Sequence, residues 1–428
     1  MKRKIILCVH VFIACTTALF AGSLTPADTV ELSVTEAENN FIKRNLLLLA
    51  TNYDIESSKA QIIQAKLWPN PTVELQQGIY DPNTKKVFDA SGTGQSSVEV
   101  SQLINIAGAR NKNVTLQKIN SELAEAQLYD LLRTLKFELR STAYDLYYKQ
   151  QSLKMYETQI TSLKQTVALY EAQYQRGNVP SREVIRLQAF LISLENEKYS
   201  IMRSVHEHLQ YLYILTADTI RPYYKIVLPE GYAESFANET YAVDSLFETA
   251  MENRSDVRIK QLEVNQTRQM HVLEKANAYP GLHVGGIWDR QSNYIRNYTG
   301  VVVGFDLPVF NRNQGNIKIA QNNYEKSLVN LQYAEQNVMS EVLTAYRQVS
   351  DYNTLYRNKD NNLIEEFDKM IVGFIVNYQK RNITLIEFID FYETYKNYIN
   401  SVYELRGNRL QAIEYLNFTT GVDVYEFK

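Results

Sequence analysis

The sequence predicts a mainly α protein with a small β part, two copies of one plan in which a helix and two short strands lead into a long helical hairpin. Three observations carry this. The stretch YQRGNVPSREV from Tyr174 returns 204 positions later as YQKRNITLIEF from Tyr378, matching Tyr174, Gln175, Asn178 and Glu183 with Tyr378, Gln379, Asn382 and Glu387. Glycine (16) and proline (9) are scarce among 428 residues, and neither occurs between Gly108 and Gly177, which favours long regular elements. Four short segments alternate apolar and polar residues with the period of a strand.

The opening MKRKIILCVHVFIACTTALFAGS sets Lys2, Arg3 and Lys4 before an apolar stretch and the triplet Ala21, Gly22, Ser23. That is the anatomy of a signal peptide over residues 1–23, too short and too poorly flanked for a membrane anchor. Cleavage would remove Cys8 and Cys15; the alternative makes Cys15 a lipidated N-terminus. Losing the three basic residues takes the formal charge from -3 to -6. An acidic exported chain without a basic stripe is a poor nucleic-acid binder.

The first repeat, residues 24–216, opens a helix at Ser33 that runs to AKLWPNP, where Pro69 announces the strands. Strand one sets Val73, Leu75 and Ile79 against Glu74 and Gln76; strand two sets Val98 and Val100 against Glu99 and Ser101. From Asn111 to Gln175 an apolar seam passes through Leu132, Leu135, Leu139, Leu146, Leu153, Tyr156, Ile160, Leu163, Val167, Tyr170 and Tyr174, interrupted by Thr142 and Lys149. Its alternating steps of three and four are those of a coiled coil, on a helix about 100 Å long. After the tip a shorter helix returns from Ser181, a suitable N-cap, to Leu215.

Residues 217–243, with Pro222, Pro229 and Gly231, read as a connecting belt. The second repeat, residues 244–428, opens a helix at Asp244 that leads to ANAYPGL. Strand three sets Leu282, Val284 and Trp288 against His283 and Asp289; strand four sets Val301, Val303, Phe305 and Leu307 against Gly304 and Asp306. A second long helix from Asn316 to Gln379 carries a looser seam of Val338, Val342, Ala345, Val349, Tyr352 and Tyr356, and a returning helix begins at Thr384, which forms a capping box with Glu387.

Beyond the leader no apolar run reaches the 18 or so residues of a membrane-spanning helix, so entry into a membrane would have to be by strands. Four strands cannot close a barrel and a lipid-exposed edge is not tolerated, so other chains would complete the sheet. The alternative packs two small hairpins on the helices of a soluble protein. An enzyme is not expected: no Walker loop, nucleophile elbow or paired-Cys zinc pattern occurs. His206 and His208 are spaced i, i+2, which points them to different helix faces, while His271 and His283 lack nearby ligands. No cofactor and no resident metal site are expected.

These residues resemble the TolC-like outer-membrane efflux proteins over nearly the whole mature chain. LINIAGARNKN from Leu103 and LPVFNRNQGNIKIAQ from Leu307 look like that family's strand-to-helix junctions. The second junction and the PNP of Pro69 to Pro71 are most like its heavy-metal branch, of the CzcC and CusC type; the first lacks the usual Gly-Gly. The resemblance implies a homotrimer in the outer membrane: a trimeric α-barrel crosses the periplasm, and four strands per chain contribute to a 12-stranded transmembrane β-barrel. It implies as partners a periplasmic adaptor protein and an inner-membrane pump, with heavy-metal cations of an RND-type pump as cargo. Drug or small-molecule efflux, or a periplasmic coiled-coil structural or adaptor protein without a pore, are the alternatives.

Three groups of residues follow as candidate sites. Arg176, Gly177 and Asn178, with Lys380, Arg381 and Asn382, are expected at the adaptor-docking tips. Glu387 and Asp390, matched to the family's constricting carboxylates and spaced i, i+3, are expected to narrow the periplasmic end. Glu74, Glu99, Asp289 and Asp306, opposite the apolar faces of their strands, are expected to line the barrel lumen, where acidic rings favour cations.

Overall fold

The computed structural model describes residues 29–82, 85–229, 231–232, 241–292, 295–357 and 362–425. The expected signal peptide, with Cys8 and Cys15, lies outside the described residues. Strand β1 (Thr29–Ser33) runs into α1 (Val34–Arg44), where Ser33 and Glu36 form a capping box. Asn45 ends that helix and caps α2 (Leu46–Lys66), its side-chain oxygen accepting from Leu47 and Leu48, so the expected single helix is two. Next come β2 (Thr72–Gln77), a two-rung hairpin of β3 (Tyr80–Asp81) and β4 (Lys86–Val87), and β5 (Ser96–Asn105).

A 3-10 turn at Ile106–Gly108, with Ala107 and Gly108 in the left-handed region, swings the chain into α3 (Ala109–Gln175). At 67 residues this helix is about 100 Å long. It returns through α4 (Ser181–Thr216), whose N-cap is Pro180 rather than the expected Ser181. Strand β6 (Tyr223–Val227) leads to α5 (Val243–Asn253), α6 (Ser255–Ala276), β7 (Gly281–Gln291) and β8 (Arg296–Phe305). The second long hairpin comprises α7 (Gln314–Arg357), α8 (Asn362–Gln379) and α9 (Leu385–Thr420). Residues 358–361, which the expected continuous helix would include, lie outside the described residues.

The four long strands form one antiparallel sheet in the order β2-β5-β7-β8, and the helices continue that order. Close to the sheet α3 packs between α2 and α6, and α6 packs on α7. Towards the tips α3 packs between α4 and α9, and α9 on α7 and α8. Being covered on two sides, α3 buries most of its predicted seam from Leu135 to Tyr170, with Thr142, Lys149 and Leu153 only half-buried, together with a second stripe that includes Tyr144, Met155, Gln159 and Thr166. Tyr174, at the end of the seam, is exposed. Among the described residues no helix is long and apolar enough to cross a membrane.

At the equator β1 pairs in parallel with β6, a contact between residues almost 200 positions apart that strand periodicity did not disclose. Beside it the Arg140 guanidinium meets Glu38, Glu414 (3.0 Å) and Asp423 (2.9 Å), and Lys136 meets Asp423 at 2.7 Å. Burial pushes the Glu414 carboxyl up despite Arg140, whereas for Asp423 the Lys136 and Arg140 contacts outweigh burial and hold it below the usual range. One cation therefore fastens α1, α3, α9 and the C-terminal segment together.

Candidate functional site

The two tips close with one hydrogen-bond pattern. In the first, the N–H of Gly177 donates to the Tyr174 carbonyl (2.8 Å) and that of Asn178 to Gln173 (2.9 Å); in the second, Arg381 donates to Tyr378 (2.9 Å) and Asn382 to Asn377 (2.9 Å). Both are Schellman closures, which require a left-handed residue after the helix. Gly177 supplies it at φ 76°, and Arg381 supplies it at φ 63° with a full side chain. A Cβ on Gly177 would meet nothing within 4 Å, so glycine is favoured there by backbone conformation and not by space.

Arg176 and Lys380 are exposed. The Asn178 and Asn382 amides each give one proton back to their own turn, to Gln173 (2.8 Å) and Asn377 (3.0 Å). Arg381 reaches across and donates to the Asn178 carbonyl at 2.8 Å, so one tip holds the other. Behind them runs an aromatic ladder. Tyr170 stacks on Tyr378 (4.7 Å, 6° between planes), Tyr378 on Phe388 (4.4 Å), and Tyr392, beside Phe388, donates to the Gln159 carbonyl at 3.0 Å. None of these cross-hairpin partners could be paired from the sequence, which shows only that aromatic residues recur.

Just past the second tip Thr384 and Glu387 form the expected capping box: the Glu387 carboxylate accepts from the Thr384 N–H (2.7 Å) and hydroxyl (2.8 Å). Those donors, the backbone first, hold its carboxyl below the usual range. The first repeat lacks this device, because Pro180 stands where Thr384 does and has no N–H to offer Glu183. Leu385, Phe388 and Tyr392 bury one face of α9, while Ile386, Asp390 and Glu393 lie exposed on another. Helical spacing puts Asp390 directly away from the core, and Glu393, three residues on, extends the same stripe.

In the sheet, register places Glu74 opposite Glu99, with Asp289 one rung along opposite Ser97. The three carboxylates share one face, as alternation predicted. Asp306 lies one residue beyond β8, outside the ladder. His283 falls on the same face as the acids, and so do Ile287 and Val302, so that face is not uniformly polar. The opposite face exposes Val73, Leu75, Val100, Val301, Val303 and Phe305. Among the described residues no group of three His, Cys, Asp or Glu could hold a metal ion.

His206 is exposed, while half-buried His208 pairs with Asp145 at 2.6 Å. Its other ring nitrogen faces the Ser204 carbonyl at 2.6 Å. With an acceptor at each nitrogen the imidazolium is favoured, and the Asp145 hydrogen bond, foremost, raises its pKa.

The family model described as outer membrane efflux protein matches residues 39–217 and 246–359. The cobalt-zinc-cadmium resistance protein CzcC of Cupriavidus metallidurans (strain CH34) is 21% identical over 66% of this chain and 64% of its own length, so the match spans less than two thirds of that relative. The solved structure of the Campylobacter jejuni CmeC outer membrane channel superposes with a TM-score of 0.74 at 15% identity, covering 92% of this chain and 87% of that one. A CusC structure, described in connection with transmembrane channel formation, gives 0.65 at 14%, covering 91% and 92%. The chain belongs to the outer membrane efflux protein family, whose members are channels of the outer membrane and not enzymes.

Proposed function

We propose that this family member is the outer-membrane channel of a tripartite efflux system, a homotrimer whose sheets close a 12-stranded barrel and whose helices continue as a tube across the periplasm. The observation that carries the reading is the open sheet. Among the described residues β2 and β8 each pair on one side only, while the sheet exposes an apolar face. Free strand edges are not tolerated in lipid, and adding copies edge to edge removes them. The helical layer has the same unfinished edges: α2 exposes Leu46, Leu49 and Tyr53, and α4 exposes Ile185, Ile192 and Tyr199. A soluble coiled-coil scaffold would leave both sets in water. Detergent-dependent, heat-modifiable trimers in the outer-membrane fraction are the expected result; release by osmotic shock would exclude the channel.

The cargo in this reading is heavy-metal cations delivered by an RND-type pump through a periplasmic adaptor. The similarity to CzcC and the acidic face of the sheet support it. Deleting the gene should lower tolerance to cobalt, zinc and cadmium; unchanged tolerance to all three would remove metal export. With Glu74, Glu99, Asp289 and Asp306 lumenal, planar-bilayer recordings should show cation preference. Anion preference would count against that orientation.

The tips are the adaptor-docking surface, with Arg176 and Lys380 as free cations and Arg381 and the two asparagines shaping the turns. Placing Trp at both Gly177 and Asn382 should abolish export while trimers persist, and normal export would take the tips out of the contact. Glu387 and Asp390 narrow the periplasmic end. Replacing both by Ala should relieve block by divalent or trivalent cations added from that side; unaltered block would place the narrowing elsewhere.

A further inference from the structure

We infer that α2 of one copy of this chain lies against α7 of the next as an antiparallel coiled-coil seam, held in register by Glu56 and Lys326. This contact rests on the ring of copies proposed above and says how its helical layer closes.

The two helices are the ends of the layer. Near the sheet the helices follow the order α2-α3-α6-α7, so α3 and α6 are each covered on two sides, whereas α2 is covered by α3 and α7, at that level, by α6. Helix α2 runs into β2 and α7 runs out of β8, just as α6 runs into β7 and α3 out of β5. Inside the chain β5 pairs with β7 and α3 packs on α6. Setting β8 beside β2 of the next copy therefore brings α7 antiparallel to that copy's α2.

Each helix presents the stripe such a joint needs. On α2, Leu49, Tyr53, Glu56, Ala60 and Ile63 are all exposed, on the side away from buried Ile55 and Ser58. On α7, Ile319, Asn322, Lys326, Val329 and Tyr333 are all exposed, on the side away from buried Ala320, Ser327 and Val338. Both stripes alternate steps of three and four, the spacing of a coiled-coil seam. Laid antiparallel they coincide rung for rung: Ile319 meets Ile63, Asn322 meets Ala60, Lys326 meets Glu56, Val329 meets Tyr53 and Tyr333 meets Leu49. The six apolar residues among them are each more than half exposed in the single chain.

Charge and depth agree with that register. The one charged rung pairs opposite signs. A slip of seven residues would set Lys326 against Ile63 or Leu49, and Glu56 against Tyr333 or Ile319, leaving both charges on apolar partners. In the single chain Glu56 meets only its helix neighbour Lys59 among the ion pairs, at 3.0 Å and in solvent, a contact that contributes little. Depth comes from the internal joint, where the Gln266 amide donates to Asn120 at 2.8 Å. Asn120 stands eleven residues past the start of α3 and Gln266 ten before the end of α6. Lys326 stands twelve past the start of α7 and Glu56 ten before the end of α2, so the charged rung falls at the same level.

The test uses the full chain in detergent, with the temperature at which the ring dissociates read by native mass. Glu56→Lys and Lys326→Glu should each lower that temperature by setting like charges on one rung, and the two together should restore it. Singles without effect, or a double variant that falls below either single, would overturn the seam. As a second measure, oxidising Tyr53→Cys with Val329→Cys should give disulfide-linked multimers. Tyr53→Cys with Asn322→Cys, seven residues out of register and so displaced by about 10 Å, should not link. The single variants report any linking through Cys8 or Cys15. An intact ring in which the aligned pair stays unlinked, or the displaced pair links instead, would overturn the seam alone; monomers in the wild type would overturn the ring and the seam together.

Discussion

At the equator one guanidinium, Arg140, faces carboxylates from three separate segments, while at the tips the hairpins are joined by stacked rings and one hydrogen bond from Arg381 to a backbone carbonyl. The equatorial contacts are charged and half-buried around a buried Glu414, so losing the cation leaves that carboxylate uncompensated. The tip contacts are largely apolar or neutral and lie at the end of the hairpins, where each can be lost singly. On these contacts the middle is expected to be held more firmly than the ends. That asymmetry suits a tube proposed to dock, and to narrow, at its tips.

Replacing Arg140 by Ala should have the largest effect, about 3–5 kcal/mol of destabilisation, because Glu414 would be left buried without its cation. Denaturant unfolding of the detergent-solubilised chain checks this, and a loss under 1 kcal/mol would erase the contrast with the tips. Phe388→Ala removes the middle ring of the ladder and should cost about 3 kcal/mol. Its damage should stay local, read as faster proteolysis between α8 and α9 with the equatorial fragments intact. Cleavage spreading to α5 would show that the two regions unfold as one.

Gly177→Ala should cost only about 1 kcal/mol, since the left-handed conformation is disfavoured for alanine but no neighbour is struck. A larger loss would mean that the first tip depends on packing absent from the single chain. The smallest effect concerns His208 on α4. Its pKa is raised by Asp145, so the pair's contribution is fully present below the ordinary histidine value of 6.5 and fades as pH rises through the raised one. Thermal stability should fall slightly across that window, and His208→Gln should flatten the dependence; identical profiles would make the pair inert.

Much of the architecture is legible because it repeats. The tips, the strand alternation and the Thr384 capping box are local patterns in which neighbours along the chain decide geometry. The acidic face of the sheet is legible for the same reason, since a period of two assigns Glu74, Glu99 and Asp289 to one side before any register is known. Less legible were positions where two local rules compete. Ser181 satisfies the rule for an N-cap, yet Pro180 takes the position because its fixed φ already suits the turn.

By itself, then, the sequence determined the duplicated plan, the length of the first long helix and the polarity of each strand, all consequences of bonds and spacings within a few turns. The tertiary structure alone decided the pairing of β1 with β6, the gathering of Glu38, Glu414 and Asp423 around Arg140, and the reach of Arg381 to Asn178. These join residues from about 100 to over 280 positions apart. No periodicity spans such distances. Only the packing of whole helices brings those charges within a few ångströms, where one cation is shared among three carboxylates.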